Sequence, residues 1–192
     1  MNTPCSRRQF LRAAAATAAS GLFLRGRVAA ADEASKLALV FAKVLSYDQR
    51  LAESKGTSVA VAAVYAPKSA DSKKAAEAWV KELATLKGTK VHGVSVEASA
   101  VPFDKTSLTT AVQEKGLDVL IGCDGVSVSA LSAISRGQKV LSAGSTRASV
   151  EQGLGMCVLL TGDKPQIVIN LAATKAEGAR FSAKLLKLSE VL

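Results

Sequence analysis

The sequence is poor in the residues that usually carry chemistry. Its 192 residues hold one histidine, His92, and three cysteines, Cys5, Cys123 and Cys157. No set of three or four His and Cys side chains is therefore available to hold a metal. Aromatic residues make up 4% of the chain, and none is interleaved with lysines in the stripe expected of a nucleic-acid surface. No apolar run reaches the roughly 20 residues needed to cross a bilayer. Gly122-Cys123-Asp124-Gly125-Val126-Ser127 sets glycines between a strand and a helix, yet matches neither the phosphate loop nor the dinucleotide fingerprint. A nucleophilic Cys123 would need a base, and His92 is the only histidine to serve. No catalytic residue, metal or cofactor is expected.

What is present begins at the amino terminus. Ser6-Arg7-Arg8-Gln9-Phe10-Leu11-Arg12 joins paired arginines to Phe-Leu, the pattern of a twin-arginine export signal. An apolar stretch of small residues follows, Ala13 to Leu24, and then Val28-Ala29-Ala30-Ala31, which suits a signal peptidase. Residues 1–31 are read as a removed signal and 32–192 as one mature domain in the bacterial periplasm, with the Tat translocase as partner during export. The signal carries Arg7, Arg8, Arg12, Arg25 and Arg27 and no acid. It takes five of the 25 basic residues with it, leaving 20 against 16 acids and a net charge of +4 in place of +9. The basic character is thus largely export machinery and gives no case for nucleic acid.

The mature chain alternates helical and strand patterns, which predicts an α/β domain: a three-layer sandwich around a mostly parallel sheet of about six strands. Leu37, Val40, Phe41, Val44, Leu45 and Leu51 recur at helical spacing over 33–53, ended by Gly56. Strands are expected at 57–66, around Val91, Val94 and Val96, at 117–122 and at 139–142. Helices are expected at 71–87, after Asp104 as cap, and through Val128, Leu131 and Ile134. Residues 156–161 and 166–171 flank Gly162-Asp163-Lys164-Pro165, an antiparallel hairpin placed at the sheet edge. Asn170 can cap a helix over 172–177 that Gly178 ends. Phe181, Leu185, Leu188 and Leu192 would share one closing face. Part of the first and last helices, around Leu39, Phe41 and Leu186, is expected to stay exposed for a homodimer or a sensor contact.

In an open α/β sheet, ligands sit outside the carboxyl ends of the strands. That rim would hold Lys68, Ser69, Asp124, Ser127, Ser145, Thr146 and Arg147, a set suited to a small polar or anionic ligand. Cys123 and Cys157 are the one pair left for a disulfide in an oxidising compartment, the alternative being two small buried apolar residues. His92, beside Val91 in an expected strand, reads as a structural histidine.

The last third carries a resemblance. Gly155-Met156, Ile167-Val168-Ile169-Asn170-Leu171, Ala176, Gly178 and Phe181-Ser182-Ala183-Lys184-Leu185-Leu186-Lys187-Leu188 resemble the closing signature of the YfiR-like family, in order over about 117–190. Upstream, Val40-Phe41-Ala42-Lys43 matches part of the family's first-helix run, with Tyr47-Asp48 where members usually show Trp-Pro. The resemblance implies a non-enzymatic periplasmic repressor that binds the sensor domain of an inner-membrane diguanylate cyclase. The other reading is a solute-binding or sensor lobe.

Replacing Arg7-Arg8 by Lys-Lys should strand the precursor in the cytoplasm. Fractionation showing undiminished periplasmic protein would refute the twin-arginine reading.

Overall fold

The computed structural model describes residues 20–53, 58–86, 90–162 and 164–192, with side chains from Glu33 onward. Arg7, Arg8, Phe10 and Leu11 of the export signal, Gly56 and Asp163 lie outside these residues. The chain divides into a compact unit spanning Ala34–Leu192 and a segment that ends at Glu33.

The elements are α1 (Ser20–Leu45), α2 (Gln49–Glu53), β1 (Ser58–Tyr65), α3 (Ala70–Thr85), β2 (Ser95–Pro102), α4 (Lys105–Lys115), β3 (Val119–Gly122), α5 (Val128–Gln138), β4 (Leu141–Gly144), α6 (Arg147–Glu151), β5 (Met156–Thr161), β6 (Lys164–Ile169), α7 (Leu171–Ala176), α8 (Ala183–Leu186) and β7 (Glu190–Val191). They build one seven-stranded sheet in the order β2-β1-β3-β4-β5-β6-β7. All neighbours run parallel except the β5–β6 hairpin. The order 2-1-3-4-5 is doubly wound, with its switch point between β1 and β3.

Two-residue alternation divides the core. Val59 and Val61 of β1, Val119 and Ile121 of β3, Leu141 and Ala143 of β4, and Met156 and Val158 of β5 face Phe41 and Leu45 of α1 and Leu83 of α3. Their sequence neighbours Ala62, Val64 and Leu120 face Leu108 and Val112 of α4 and Leu131 and Ile134 of α5. Helices therefore cover both faces, and the expected three layers are present.

The caps follow the sequence. Asp104 accepts from Ser107 N–H at 2.8 Å, which holds its carboxyl below the usual range. Asn170 Oδ1 accepts from Ala173 N–H at 2.9 Å, and Gly178, at φ +80°, supplies the left-handed turn beyond α7.

Five expectations need correction. The helix read over 33–53 breaks at Ser46–Asp48, because Asp48 leaves the helix to bridge Phe181. His92 sits in a tight turn closed by Val91 and Val94, at φ +51° with Gly93 at +89°, the paired positive values of a hairpin turn and not of a strand. The hairpin is not the sheet edge, since β7 adds a seventh strand beside β6. The C-terminal stretch read as one helical face is a single turn, α8, followed by that strand, so Leu185 is buried while Leu188 and Leu192 are exposed. The apolar patch is also elsewhere than expected: Phe41 is 2% exposed, packed edge-to-face on Trp79 with ring centroids 5.4 Å apart. Leu186 packs against the core and Leu39 is half-buried. Among the described residues the exposed large apolar side chains are Leu188, Val191 and Leu192.

Asp48 is fully buried. Its Oδ1 accepts from the N–H groups of Arg50, at 3.0 Å, and Arg180, at 2.9 Å. Replacing Asp48 by Ala strands both donors and should destabilise the fold by about 3 kcal/mol in urea denaturation. Asp48→Asn, which keeps the acceptor, should cost clearly less, and equal losses would refute this role.

Candidate functional site

The strands end at one rim, and each loop there has a local cause. Ser69, Ser127 and Thr146 each occupy the residue before a helix and accept from its first turn, from the N–H of Ser72, Ala130 and Ser149 at 3.2, 3.4 and 3.2 Å. Three of the hydroxyls expected on the rim are thus engaged as helix caps. Gly144 lets α6 approach β4: a Cβ there would lie 1.9 Å from Ser149 Oγ. Gly125, at φ +84°, turns the chain between β3 and α5, with Ala66 against it.

Between the β3–α5 and β4–α6 loops lies a cavity of about 100 Å³, lined in part by Gly122, Cys123, Asp124, Ser145, Thr146 and Ser149. Of the seven rim residues, the structure brings Asp124, Ser145 and Thr146 onto this cavity. Ser145 Oγ donates to Asp124 Oδ1 at 2.6 Å. Lys68 and Ser69, on the turn after β1, do not line it, nor does Ser127. Arg147 turns away, donating to Glu151 at 2.8 Å and to Glu190 of β7 at 2.6 Å. Neither cation of the rim therefore faces the cavity, whose formal charge is the carboxylate of Asp124. Of the small polar or anionic ligand that the sequence suggested, the arrangement suits the polar, neutral or cationic, better than the anionic.

The thiols are inert in this setting. Cys123 and Cys157 are both free and buried. Burial, with the Asp124 charge adding to it, pushes the Cys123 thiol up to about 11, and burial takes Cys157 to about 11 as well. A thiol so raised is almost wholly un-ionised at neutral pH. Nor do the two meet: Cys123 packs with Ala63 and Ala76 on the α3 side, whereas Cys157 packs with Val150 of α6 and Val168. They point to opposite faces, and β3 and β5 lie two strand spacings apart, roughly 10 Å, beyond the reach of a disulfide. His92 is no base for Cys123, because it sits ahead of β2 with its Nε2 3.0 Å from the Asp48 carbonyl oxygen, at the other end of the strands.

Sequence reasoning missed Glu177, a carboxylate with no exposure at the end of α7. Its Oε1 accepts from Ser135 Oγ, at 2.7 Å, and from Ser142 Oγ, while Oε2 accepts from Ser142 N–H at 3.0 Å. Ser142 Oγ accepts in turn from Gly155 N–H at 2.8 Å. Burial pushes the Glu177 carboxyl above its usual range, and the Ser142 and Ser135 hydrogen bonds oppose that only in part. In the observed β4, Leu141–Gly144, all four residues are buried and Ser142 is the single polar one. Among the described residues no group of three or more His, Cys, Asp or Glu side chains could hold a metal ion.

With the fold and rim in place, comparison with known proteins is decisive. The model of the YfiR/HmsC-like family matches residues 75–190, from α3 to β7. The chain belongs to that family. A twin-arginine translocation signal matches residues 4–23, so this YfiR/HmsC-like protein is exported to the periplasm by the Tat route. No curated protein matches the sequence. Solved structures share the fold: an ABC domain in complex with L-Trp from Streptococcus pneumonia (14% identity, TM-score 0.56, 83% of this chain and 62% of that one); a conserved domain protein from Vibrio cholerae O1 biovar eltor (14%, 0.56, 82% and 59%); and the ligand-free, open form of a substrate binding protein with adhesive properties from Clostridium difficile (16%, 0.50, 74% and 56%). The chain spans about three fifths of the length of these structures.

A glutamate with a raised folded-state value adds most stability when protonated. That contribution is full below the ordinary value of 4.5 and is lost as pH rises through the raised one. Asp104 and Glu190, both lowered, act in the opposite sense but are common to wild type and variant. The stability of wild type relative to Glu177→Gln should therefore fall as pH rises from 4 to neutral. A difference that stays flat in urea titrations would remove Glu177 from this role.

Proposed function

We propose that the exported protein is a non-catalytic regulator that binds the periplasmic sensor domain of an inner-membrane signalling protein, a diguanylate cyclase or similar, and holds it off. Membership of the YfiR/HmsC-like family, joined to the export signal, carries this reading. In this reading the signal is cleaved after residue 31 and residues 32–192 are the working domain.

A contact surface consistent with it lies between α1 and α3. Ala34, Leu37, Ala75, Ala78 and Trp79, with Glu82 at the margin, line an almost wholly apolar groove of about 200 Å³. Trp79 forms part of its wall and is already braced from beneath by Phe41, the kind of rigid aromatic that anchors protein interfaces. A second reading, a lobe that senses a small neutral or cationic solute, is favoured by the cavity beside Asp124 and by a fold shared with a substrate binding protein.

Deleting the gene should raise cyclic-di-GMP. Ala78→Glu, which charges the groove at an exposed helix position, should reproduce the deletion while thermal unfolding stays unchanged. A nucleotide level unaltered by deletion overturns the regulatory reading and favours the solute lobe.

A further inference from the structure

Exposed apolar side chains gather where α8 runs into β7. Leu188, Val191 and Leu192 are 66%, 42% and 41% exposed, and they are the exposed large apolar residues among those described. Scattered singly, such residues need no explanation, but three within five positions form a patch.

The helical turn and the pleat decide what surrounds that patch. The turn of α8 carries on to Leu188, whose N–H donates to Leu185 carbonyl oxygen at 2.8 Å. Leu185 faces the core, so Lys184, Lys187 and Leu188, spaced i, i+3 and i+4, share the outward side. Val191 is in register with Ile169, which faces α1, and so lies on the same side of the sheet as α8. Glu190 is in register with Val168 and faces α6, where Arg147 donates to its carboxylate at 2.6 Å. The one acid of this segment is therefore turned to the opposite face and paired. Lys184 and Lys187 are exposed, and their side chains bond to none of the described residues. A third lysine stands nearby. Ser182 N–H donates to Tyr47 carbonyl oxygen at 3.0 Å, which sets the start of α8 against the end of α1, whose last turn carries the exposed Lys43.

We infer that this corner is a lipid-contact surface, through which the exported protein rests on an anionic membrane facing the periplasm. Leu188 and Val191 enter the headgroup region, and Lys43, Lys184 and Lys187 meet lipid phosphates. Charge and composition select lipid as the occupant. Lysine is depleted at protein interfaces, because fixing its long side chain and stripping its ammonium of water is unfavourable. At a bilayer the same side chain lays its apolar stem over the aliphatic residues and keeps its charge among wet phosphates. Exposed aliphatics rimmed by lysines, with the acid turned away, are the composition of an interfacial contact. Insertion stays shallow, because the outer edge of β7 carries main-chain groups that need water. The inference does not depend on the proposed sensor contact, since its probe is lipid alone.

The test floats the exported protein, purified from the periplasm, with lipid vesicles. Vesicles of phosphatidylethanolamine with phosphatidylglycerol should retain it at least about tenfold better than vesicles of phosphatidylcholine. Leu188→Glu, at the most exposed position of the patch, should weaken that retention by about tenfold with thermal unfolding unchanged. Should Leu188→Glu unfold, paired charge reversals decide. Lys184→Glu with Lys187→Glu should abolish retention. Lys105→Glu with Lys115→Glu makes the same change in net charge on exposed positions of α4, which covers the other face of the sheet, and should leave most of it. No retention by the anionic vesicles, equal retention by both vesicle types, or equal losses in the two charge reversals would each overturn the inference. So would a Lys184→Glu, Lys187→Glu protein that raises cyclic-di-GMP in the cell while the wild type ignores vesicles, a result that assigns the corner to a protein partner.

Discussion

A buried carboxylate, Asp48, ties the two ends of the sequence together. One of its oxygens accepts N–H groups that lie 132 residues apart from it and two residues beyond it. Around it, Gln49 N–H donates to Arg180 carbonyl oxygen at 2.9 Å and Ser182 N–H to Tyr47 carbonyl oxygen at 3.0 Å. Arg50 carries the tie into the sheet, reaching the carbonyl oxygens of Lys139 at 2.7 Å and Asp118 at 3.2 Å. The Asp118 carboxylate in turn accepts from Ala60 N–H at 3.0 Å. The end of α1, the C-terminal segment and the entry points of β1, β3 and β4 thus meet in one polar junction. Only with that junction made can α1 lay Ala38, Phe41 and Leu45 against the sheet, because a helix that ran on through Asp48 would miss the C-terminal segment that closes the same face.

The sheet's pleat does the rest of the sorting. Since neighbouring residues on a strand face opposite layers, a single register decides which helix each side chain meets. It gives β4 an apolar face toward α1 and a polar residue, Ser142, toward α5, where Glu177 waits for it. It also parts Cys123 from Cys157. Sequence distance and an oxidising compartment left that pair open, but the parity of two strands closes it, and two buried thiols remain with no partner and little tendency to ionise.

The strands, the caps at Asp104 and Asn170 and the left-handed Gly178 were legible because each depends on residues within a few positions of one another. The break in the first helix was not, because what ends it is Arg180 and Phe181, far along the chain. Nor was β7: Glu190 and Val191 become a strand through Ile169 and Val168 and through the Arg147 side chain, none of them local. The rim illustrates the same limit. Strand ends placed Asp124, Ser145 and Thr146 on the rim, where they line one cavity, yet the destination of Arg147 was set by an acid 43 residues away. A basic residue beside a cavity says little until its partner is known.

The two ends of the sheet are consequently unlike. The amino end is consumed by structure: Asp48 Oδ1, the terminal nitrogens of Arg50, the Asp118 carboxylate and the ring of His92 bond to backbone groups, and Arg50 Nε lies 3.6 Å from Asp48 Oδ2 as an ion pair. At the carboxyl end the caps of α3, α5 and α6 hold the loops rigidly, while Asp124 and Ser145 remain exposed to solvent. Between those loops lies the small cavity whose wall carries Asp124, Ser145 and Thr146. The flank offers the other kind of surface, an apolar groove over Trp79. Recognition by surfaces of this type depends on geometry fixed in advance, because side chains already held in place lose little further freedom on binding. Under the proposed regulatory reading, that prior ordering is the property through which the chain would hold its partner.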